Sequence, residues 1–384
     1  MNAEGVVLPE SLVADLIVGA ADVSGRLRTD FEELGRSRAS IRSELIKAKR
    51  VRRIPDEDQI DTVFAVDGAY VAEVDRASAY AATCAVRIGR NQSENAQSSC
   101  LAVLPHLAGL TAVASGIMAM QEIMLSVEGV EKNPGWLCVA DGSRVSAIIT
   151  LNQFYTALGA DARGLLARWD EQTDADPRSE PGCTLRKFHS RDWLSAYLTS
   201  PAIYGNLKLV TTTSLVEKYA KTFFGRFDDK TLASLVLEAG EVLGPIGISV
   251  PERPFHVRGG AGGYPFSNEL DRIQHTLYTD GDAGAKHPNQ ILHLYTRPRA
   301  GQSVFKMELT RSAFADVPRL KGVISWWREQ TPTTDLFEPY SLYIADRFAA
   351  QAVSISSTAL KDIARRETAN ETWAWSFTQP HRTT

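Results

Sequence analysis

Apolar and polar positions follow several distinct rhythms along this chain. Leu12, Leu16, Ile17, Val23, Leu27, Phe31, Leu34, Ile41, Leu45 and Ile46 recur at roughly helical spacing. They predict one long helix or two over residues 8–51. Residues 61–88, with β-branched and aromatic residues recurring from Val63 to Ile88, read as the first sheet segment. Residues 89–99, rich in Asn, Gln and Ser, read as a loop, 101–127 as a helix and 129–135 as a turn. A second strand is predicted at 136–140, then two helices over 145–169 and an acidic surface loop at 170–182. Residues 207–216 look strand-like and 228–242 helical. Residues 291–296 and 304–309 pair as a hairpin. Helices at 313–330 and 339–366 follow, the last turning Leu342, Ile344, Phe348, Ala349 and Val353 inward. Trp373, Trp375 and Phe377 in the tail are expected to dock on the body. This order defines a mixed α/β fold, a central sheet flanked by helices with a long N-terminal helical arm.

Within that pattern, Thr62-Val63-Phe64-Ala65-Val66 runs straight into Asp67-Gly68-Ala69-Tyr70. Trp136-Leu137-Cys138-Val139-Ala140 runs into Asp141-Gly142-Ser143 in the same way. Asp-Gly between two alternating runs is also the signal of a tight hairpin turn, so either copy alone reads first as turn chemistry, and the pair carries more than either member. Two strands placed side by side would instead bring two carboxylates together at the rim of a sheet. Close carboxylates repel unless protons or cations intervene, and hard divalent cations with oxygen ligands serve phosphoryl transfer. Glu122 on the intervening helix and Asp346 near the start of the last helix stand at informative places beside them.

Composition narrows the remaining choices. The 384 residues are 44% hydrophobic, enough for one large domain or two ordinary ones. A net charge of −4 and pI near 6.0 advertise no global basic field, so any polyanion site is a local patch. The basic run from Arg36 to Arg53, above all Arg50, Arg52 and Arg53, is either a solvated helix face or a phosphate-tracking arm. Four cysteines without a Cys-x-x-Cys, and seven histidines without an i,i+4 pair, indicate neither a zinc site nor a disulfide framework. The N-terminus lacks the basic lead of a signal peptide, and the apolar stretch 101–124 suits a buried helix better than a membrane span. The expected compartment is the cytoplasm, with no membrane partner. Arg258 through Gly263 is glycine-rich but is not followed by Lys-Ser/Thr, so it reads as a connection.

Val66-Asp67-Gly68-Ala69-Tyr70, the helical Glu122 nineteen residues before Asp141, Ala140-Asp141-Gly142-Ser143, Phe305-Lys306-Met307-Glu308-Leu309 and the late Glu338-Pro339-Tyr340-Ser341-Leu342-Tyr343-Ile344-Ala345-Asp346 stand in a specific order. In that order and spacing the chain resembles the NurA nuclease family, from about residue 61 to 366. Ala69 replaces the family's serine. At the end, Glu338 stands where the family has tyrosine and Asp346 where it has histidine. The resemblance implies a ribonuclease-H-like sheet, with an arm over 1–55, a nuclease domain over 56–370 and a tail over 371–384. It implies Asp67, Glu122, Asp141 and Asp346 as ligands of Mn²⁺ or Mg²⁺ in a two-metal site. A family lysine maps onto Lys218. It further implies single- and double-stranded DNA ends as substrate, a homodimer and a HerA-like hexameric ATPase as partner, in end processing or anti-phage defence. The departures at 338 and 346 also admit a catalytically weak or inactive adaptor of such a motor.

Overall fold

The computed structural model describes residues 10–54, 62–74, 79–104, 109–158, 181–208, 212–248, 276–277, 287–333 and 338–368. The expected Asp170–Gly182 loop (for nearly all of its length), the glycine-rich segment and the tail aromatics Trp373, Trp375 and Phe377 lie outside them. The elements in chain order are α1 (Glu10–Lys47), β1 (Val51–Arg53), β2 (Val63–Val74), β3 (Ala79–Ile88), β4 (Ala96–Leu104), α2 (Leu110–Lys132), β5 (Leu137–Asp141) and α3 (Arg144–Leu158). They continue with α4 (Pro181–His189), α5 (Trp193–Thr199), β6 (Ile203–Leu207), α6 (Ser214–Tyr219), α7 (Asp229–Val236) and β7 (Glu241–Gly247). The last are β8 (Ile291–Arg297), β9 (Phe305–Thr310), α8 (Arg311–Ala315), α9 (Val317–Gln330) and α10 (Tyr340–Thr368).

The strands form one nine-stranded sheet in the order β1-β7-β8-β9-β6-β5-β2-β3-β4. β2, β3 and β4 pair antiparallel, whereas β5 lies parallel to β2 on one side and to β6 on the other. Parallel strands need a crossover, and β3, β4 and α2 supply the one between β2 and β5. Because successive strand residues point to opposite faces, β2 feeds two cores. Phe64 and Val66 pack with Val113, Ile117 and Met120 of α2. Val63 and Ala65 pack with Trp327 of α9 and Leu342 of α10. Farther along β2, Ala69 and Val71 pack against Ala349 and Val353 of α10. Among the described residues α2 is the one helix long and apolar enough to cross a membrane, and it is buried in the first of these cores.

Several local expectations are corrected by long-range pairing. β2 runs unbroken through Asp67-Gly68, so this Asp-Gly is not a turn. The segment 89–99 read as a loop contains the start of β4, and 101–104 continue that strand instead of opening a helix, because β3 offers a full ladder of partners. The strand expected at 207–216 lies earlier, at Ile203–Leu207, and Ser214–Tyr219 is helical. The helix expected over 228–242 ends at Val236, and Glu241 already pairs with Arg297 in the sheet. Asp316 divides the helix expected at 313–330, accepting a hydrogen bond from the Arg319 amide as cap of α9. The arm is also joined to the body: Leu34, Ile41 and Leu45 of α1 pack against α6, α7 and β8, and β1 pairs with β7.

Candidate active site

β2, β5 and β6 run parallel, and their pairing stops at Val66–Ala140 and Asp141–Asn206; β5 finishes there, while β2 continues to Val74 with Asp67 inside it. The β2–β5 register runs from Val63 opposite Leu137 to Val66 opposite Ala140, so Asp67 follows directly where β5 finishes at Asp141. Asp141 in turn pairs with Asn206 of β6, and Lys208 stands just past the end of that strand. Crevices outside the carboxyl ends of parallel strands are where open α/β sheets place their ligands.

The two glycines after the acids do different work. A Cβ on Gly68 would come within 2.7 Å of Glu122 Oε1 and 2.8 Å of Met118 Cγ. Gly68 therefore leaves the gap through which Glu122 of α2 reaches the strand. Gly142 has φ +83°, a left-handed conformation that favours glycine and turns the chain sharply from β5 into α3. Asp67, Glu122 and Asp141 all line one pocket of about 230 Å³, together with Ser143, Ser146 and Tyr197.

The electrostatics are those of crowded acids. Asp67 is 5% exposed, and burial, then the neighbouring Asp141 and Glu122 charges, push its pKa well above the carboxylate range. Burial and then Asp141 push Glu122 up to about 8. Burial raises Asp141 as well, against the opposing pull of Lys208. Lys208 Nζ lies 3.1 Å from Asp141 Oδ2 and 2.7 Å from Glu338 Oε2. Burial alone would lower that ammonium, but Glu338, Asp141 and Asp67 together raise it.

Below this cluster a second acid is held in the opposite state. Glu308 of β9 is buried and accepts hydrogen bonds from Ser143 Oγ at 2.8 Å, the Arg144 amide at 2.8 Å and, with the ring drawn as donor, His293 Nε2 at 3.0 Å. Burial pushes its pKa up, yet the His293 and Ser143 contacts outweigh burial and hold it below the usual range. Glu308 thus caps the N-terminus of α3, where a negative charge is favoured, and fixes the turn that follows Asp141.

The other residues singled out in the sequence are placed differently. Asp346 lies in the second turn of α10, partly exposed, and makes no hydrogen bond or ion pair with any described residue. Its helix covers the face of β2 that carries Asp67. The late acid tied to the cluster is Glu338. Lys218 is exposed on α6, with its ammonium 5.8 Å from the Tyr219 ring centroid. Among the described residues the lysine paired with an acid of the cluster is Lys208, which the sequence did not single out. The strand expected at 207–216 lies at Ile203–Leu207, and Lys208 directly follows it. Arg50 donates to the Pro245 carbonyl and Arg52 stacks 4.1 Å from the Phe314 ring centroid. They and Arg53 flank or form β1, the sheet edge six strand spacings from β2, roughly 29 Å at about 4.8 Å each.

The donor set is oxygen only, which suits hard divalent cations. Asp67 Oδ2 and Asp141 Oδ1 are buried and make no hydrogen bond, so both have lone pairs to offer. Among the described residues no three His, Cys, Asp or Glu side chains converge as a ready-made metal cluster. The residues present fit a divalent cation in donor chemistry, since three carboxyl groups line one pocket.

No family model and no curated protein matches the sequence. The NurA nuclease from Sulfolobus solfataricus superposes with a TM-score of 0.59 at 12% identity, over 94% of this chain and 98% of that one. NurA with manganese superposes at 0.52 and 10% identity, over 90% and 98%. NurA bound to dAMP and manganese gives 0.50 and 12%, over 85% and 92%. The chain therefore has a NurA-like fold.

Proposed function

We propose that this chain is a divalent-metal-dependent nuclease acting on DNA. The observation that carries the reading is the meeting of Asp67, Glu122 and Asp141 in one pocket where the parallel pairing of β2 and β5 stops, with Lys208 beside them. Three acids crowded into one pocket cost stability unless protons or a cation neutralise them. Asp67, Glu122 and Asp141 would hold Mn²⁺ or Mg²⁺, with Asp346 as the further ligand on the helix above Asp67. Such an ion, when bound, supplies Lewis acidity toward a water and a leaving phosphate oxygen. The chain's own groups do the rest. β2 and β5 fix their two carboxylates rigidly, Glu122 enters through the Gly68 gap, and Lys208 offers a positive charge to a phosphate at the rim. Strand order β4-β3-β2-β5-β6, antiparallel then parallel, supports a ribonuclease-H-like core.

The proposal extends to single- and double-stranded DNA ends as substrate, to a homodimer and to a HerA-like hexameric ATPase that delivers DNA, in end processing or defence against invading DNA. The motif resemblance and the fold support these. A solved NurA structure is bound to dAMP and manganese, which supports a nucleotide ligand and a divalent cation for this chain. Arg50, Arg52 and Arg53 are retained as a distant DNA-tracking edge, and neutralising each contact there lowers the log K against log salt slope by about one.

The test is cleavage of linear single- and double-stranded DNA by purified protein across an Mn²⁺ and Mg²⁺ titration. Asp67→Asn, Glu122→Gln and Asp141→Asn are each expected to lose on the order of a hundredfold or more in rate. An inactive wild-type chain that still binds a hexameric ATPase would instead make it an adaptor.

A further inference from the structure

The motif comparison expects tyrosine at position 338, yet Glu338 there forms the shorter of the two ion pairs made by Lys208. Glu338 sits just before α10 and its side chain is 22% exposed, about as buried as that of Asp141 at 20%. Lys208 thus contacts two carboxylates at once, 3.1 Å from one and 2.7 Å from the other. One oxygen of Asp141 is taken by the ammonium and the other is unpartnered. A divalent cation entering at Asp141 meets a positive charge already seated there. The ammonium and the cation repel strongly at such range, so binding requires Lys208 to leave Asp141. Without a second anion it would have to move into solvent, away from any substrate.

We propose that Glu338 is the positioning residue of Lys208: it is the anion onto which the ammonium withdraws when a cation takes Asp141. Glu338 lowers the barrier to loading the site and keeps the lysine at the pocket rim, facing a bound phosphate. This inference rests on the metal-dependent reading above. Glu338 acts through Lys208 and is not itself a ligand, so its effect on cation affinity exists only while the lysine is present.

A double-mutant cycle on the full chain tests this without using catalysis. Free Mn²⁺ is measured by its electron paramagnetic resonance signal for wild type, Glu338→Gln, Lys208→Met and the double variant, with Lys208→Gln as a second neutral partner should the Met variant not fold. Glu338→Gln is expected to weaken Mn²⁺ binding about tenfold, the scale of a lost outer contact in a metal site. In the Lys208→Met background the same substitution is expected to change affinity less than about twofold, the limit of ordinary additivity. An equal loss in both backgrounds would show Glu338 acting alone, as a ligand or a bare charge, and overturn the proposal. No loss in either background overturns it too. If wild type binds Mn²⁺ and Asp67→Asn does not, the metal reading stands whatever the cycle gives. If wild type binds no Mn²⁺, that reading falls and takes this inference with it.

Discussion

At the scale of single residues, two glycines beside the site separate steric from chemical need. At Gly68 the atoms in the way are the ends of flexible side chains, Glu122 Oε1 and Met118 Cγ. Gly68→Ala is therefore expected to fold with a loss of no more than about 1–2 kcal/mol, and to displace Glu122 from the pocket. Cleavage should fall at least tenfold, by the ~1.4 kcal/mol rule for each decade. At Gly205 the obstacle is the backbone, since a Cβ would lie 2.8 Å from the Gly142 carbonyl oxygen. Gly205→Ala should cost roughly 2–3 kcal/mol in chemical denaturation. Equal stability loss for the two, with activity retained in Gly68→Ala, would remove the special relation of Gly68 to Glu122. Asp67-Gly68 was legible in the sequence as a pair worth attention, but not for this reason. A glycine that admits a side chain from another element leaves no local signal, and here it looks the same as a turn.

At the scale of elements, the strands with the strongest β character were legible and the weaker ones were not. β2 and β8 carry β-branched and aromatic residues, β5 an apolar run and β9 an apolar–polar alternation, and their places follow from the residues alone. β4 reads Ala-Gln-Ser-Ser-Cys-Leu-Ala-Val-Leu and owes its state to the ladder with β3. β6, Ile-Tyr-Gly-Asn-Leu, is short and contains a glycine, which hid it and the lysine after it. Glu308 was seen only as part of a strand, because capping of α3 by a residue far along the chain cannot be read from spacing. Its removal makes an element-scale prediction. Glu308→Gln keeps the shape but loses the charge-assisted bonds to Ser143, the Arg144 amide and His293. A loss of about 2 kcal/mol is expected in urea unfolding. The folded pKa of Glu308 is depressed, so its contribution is present above the ordinary glutamate pKa near 4.3 and fades as pH falls through the lower folded value. The gap between wild type and variant should therefore close on acidification. A gap that is constant with pH would assign the loss to packing alone. The basic end of α1 likewise proves structural in part. Arg42 bonds both oxygens of Glu241 at 2.7 and 2.8 Å, and Arg42→Ala should cost roughly 3 kcal/mol by stranding a buried carboxylate.

At the scale of the whole molecule, the acids of the pocket make folding, protons and divalent cations compete. Asp67, Glu122 and Asp141 all have folded pKa values above their unfolded ones, Glu122 at about 8. Below about pH 4 both states are protonated and the pocket costs nothing. As pH rises from there the unfolded chain releases these protons while the native one retains them, so the cluster destabilises the cation-free fold progressively, up to about pH 8 or beyond. A divalent cation replaces the protons and removes that penalty, because it binds the native state alone. The stabilisation by Mg²⁺ should hence be small near about pH 5.5 and grow steadily toward about pH 8.5. Thermal melts with and without about 10 mM Mg²⁺ across that range would show the difference in Tm widening with pH. Titration calorimetry in buffers of different ionisation enthalpy should find about one proton or more released per binding event near neutral pH. Asp67→Asn should raise the cation-free Tm more at high pH than at low, and cancel most of the Mg²⁺ effect. A Mg²⁺ shift that is flat with pH, or that survives in Asp67→Asn, would mean the cation binds elsewhere and the buried acids serve no metal.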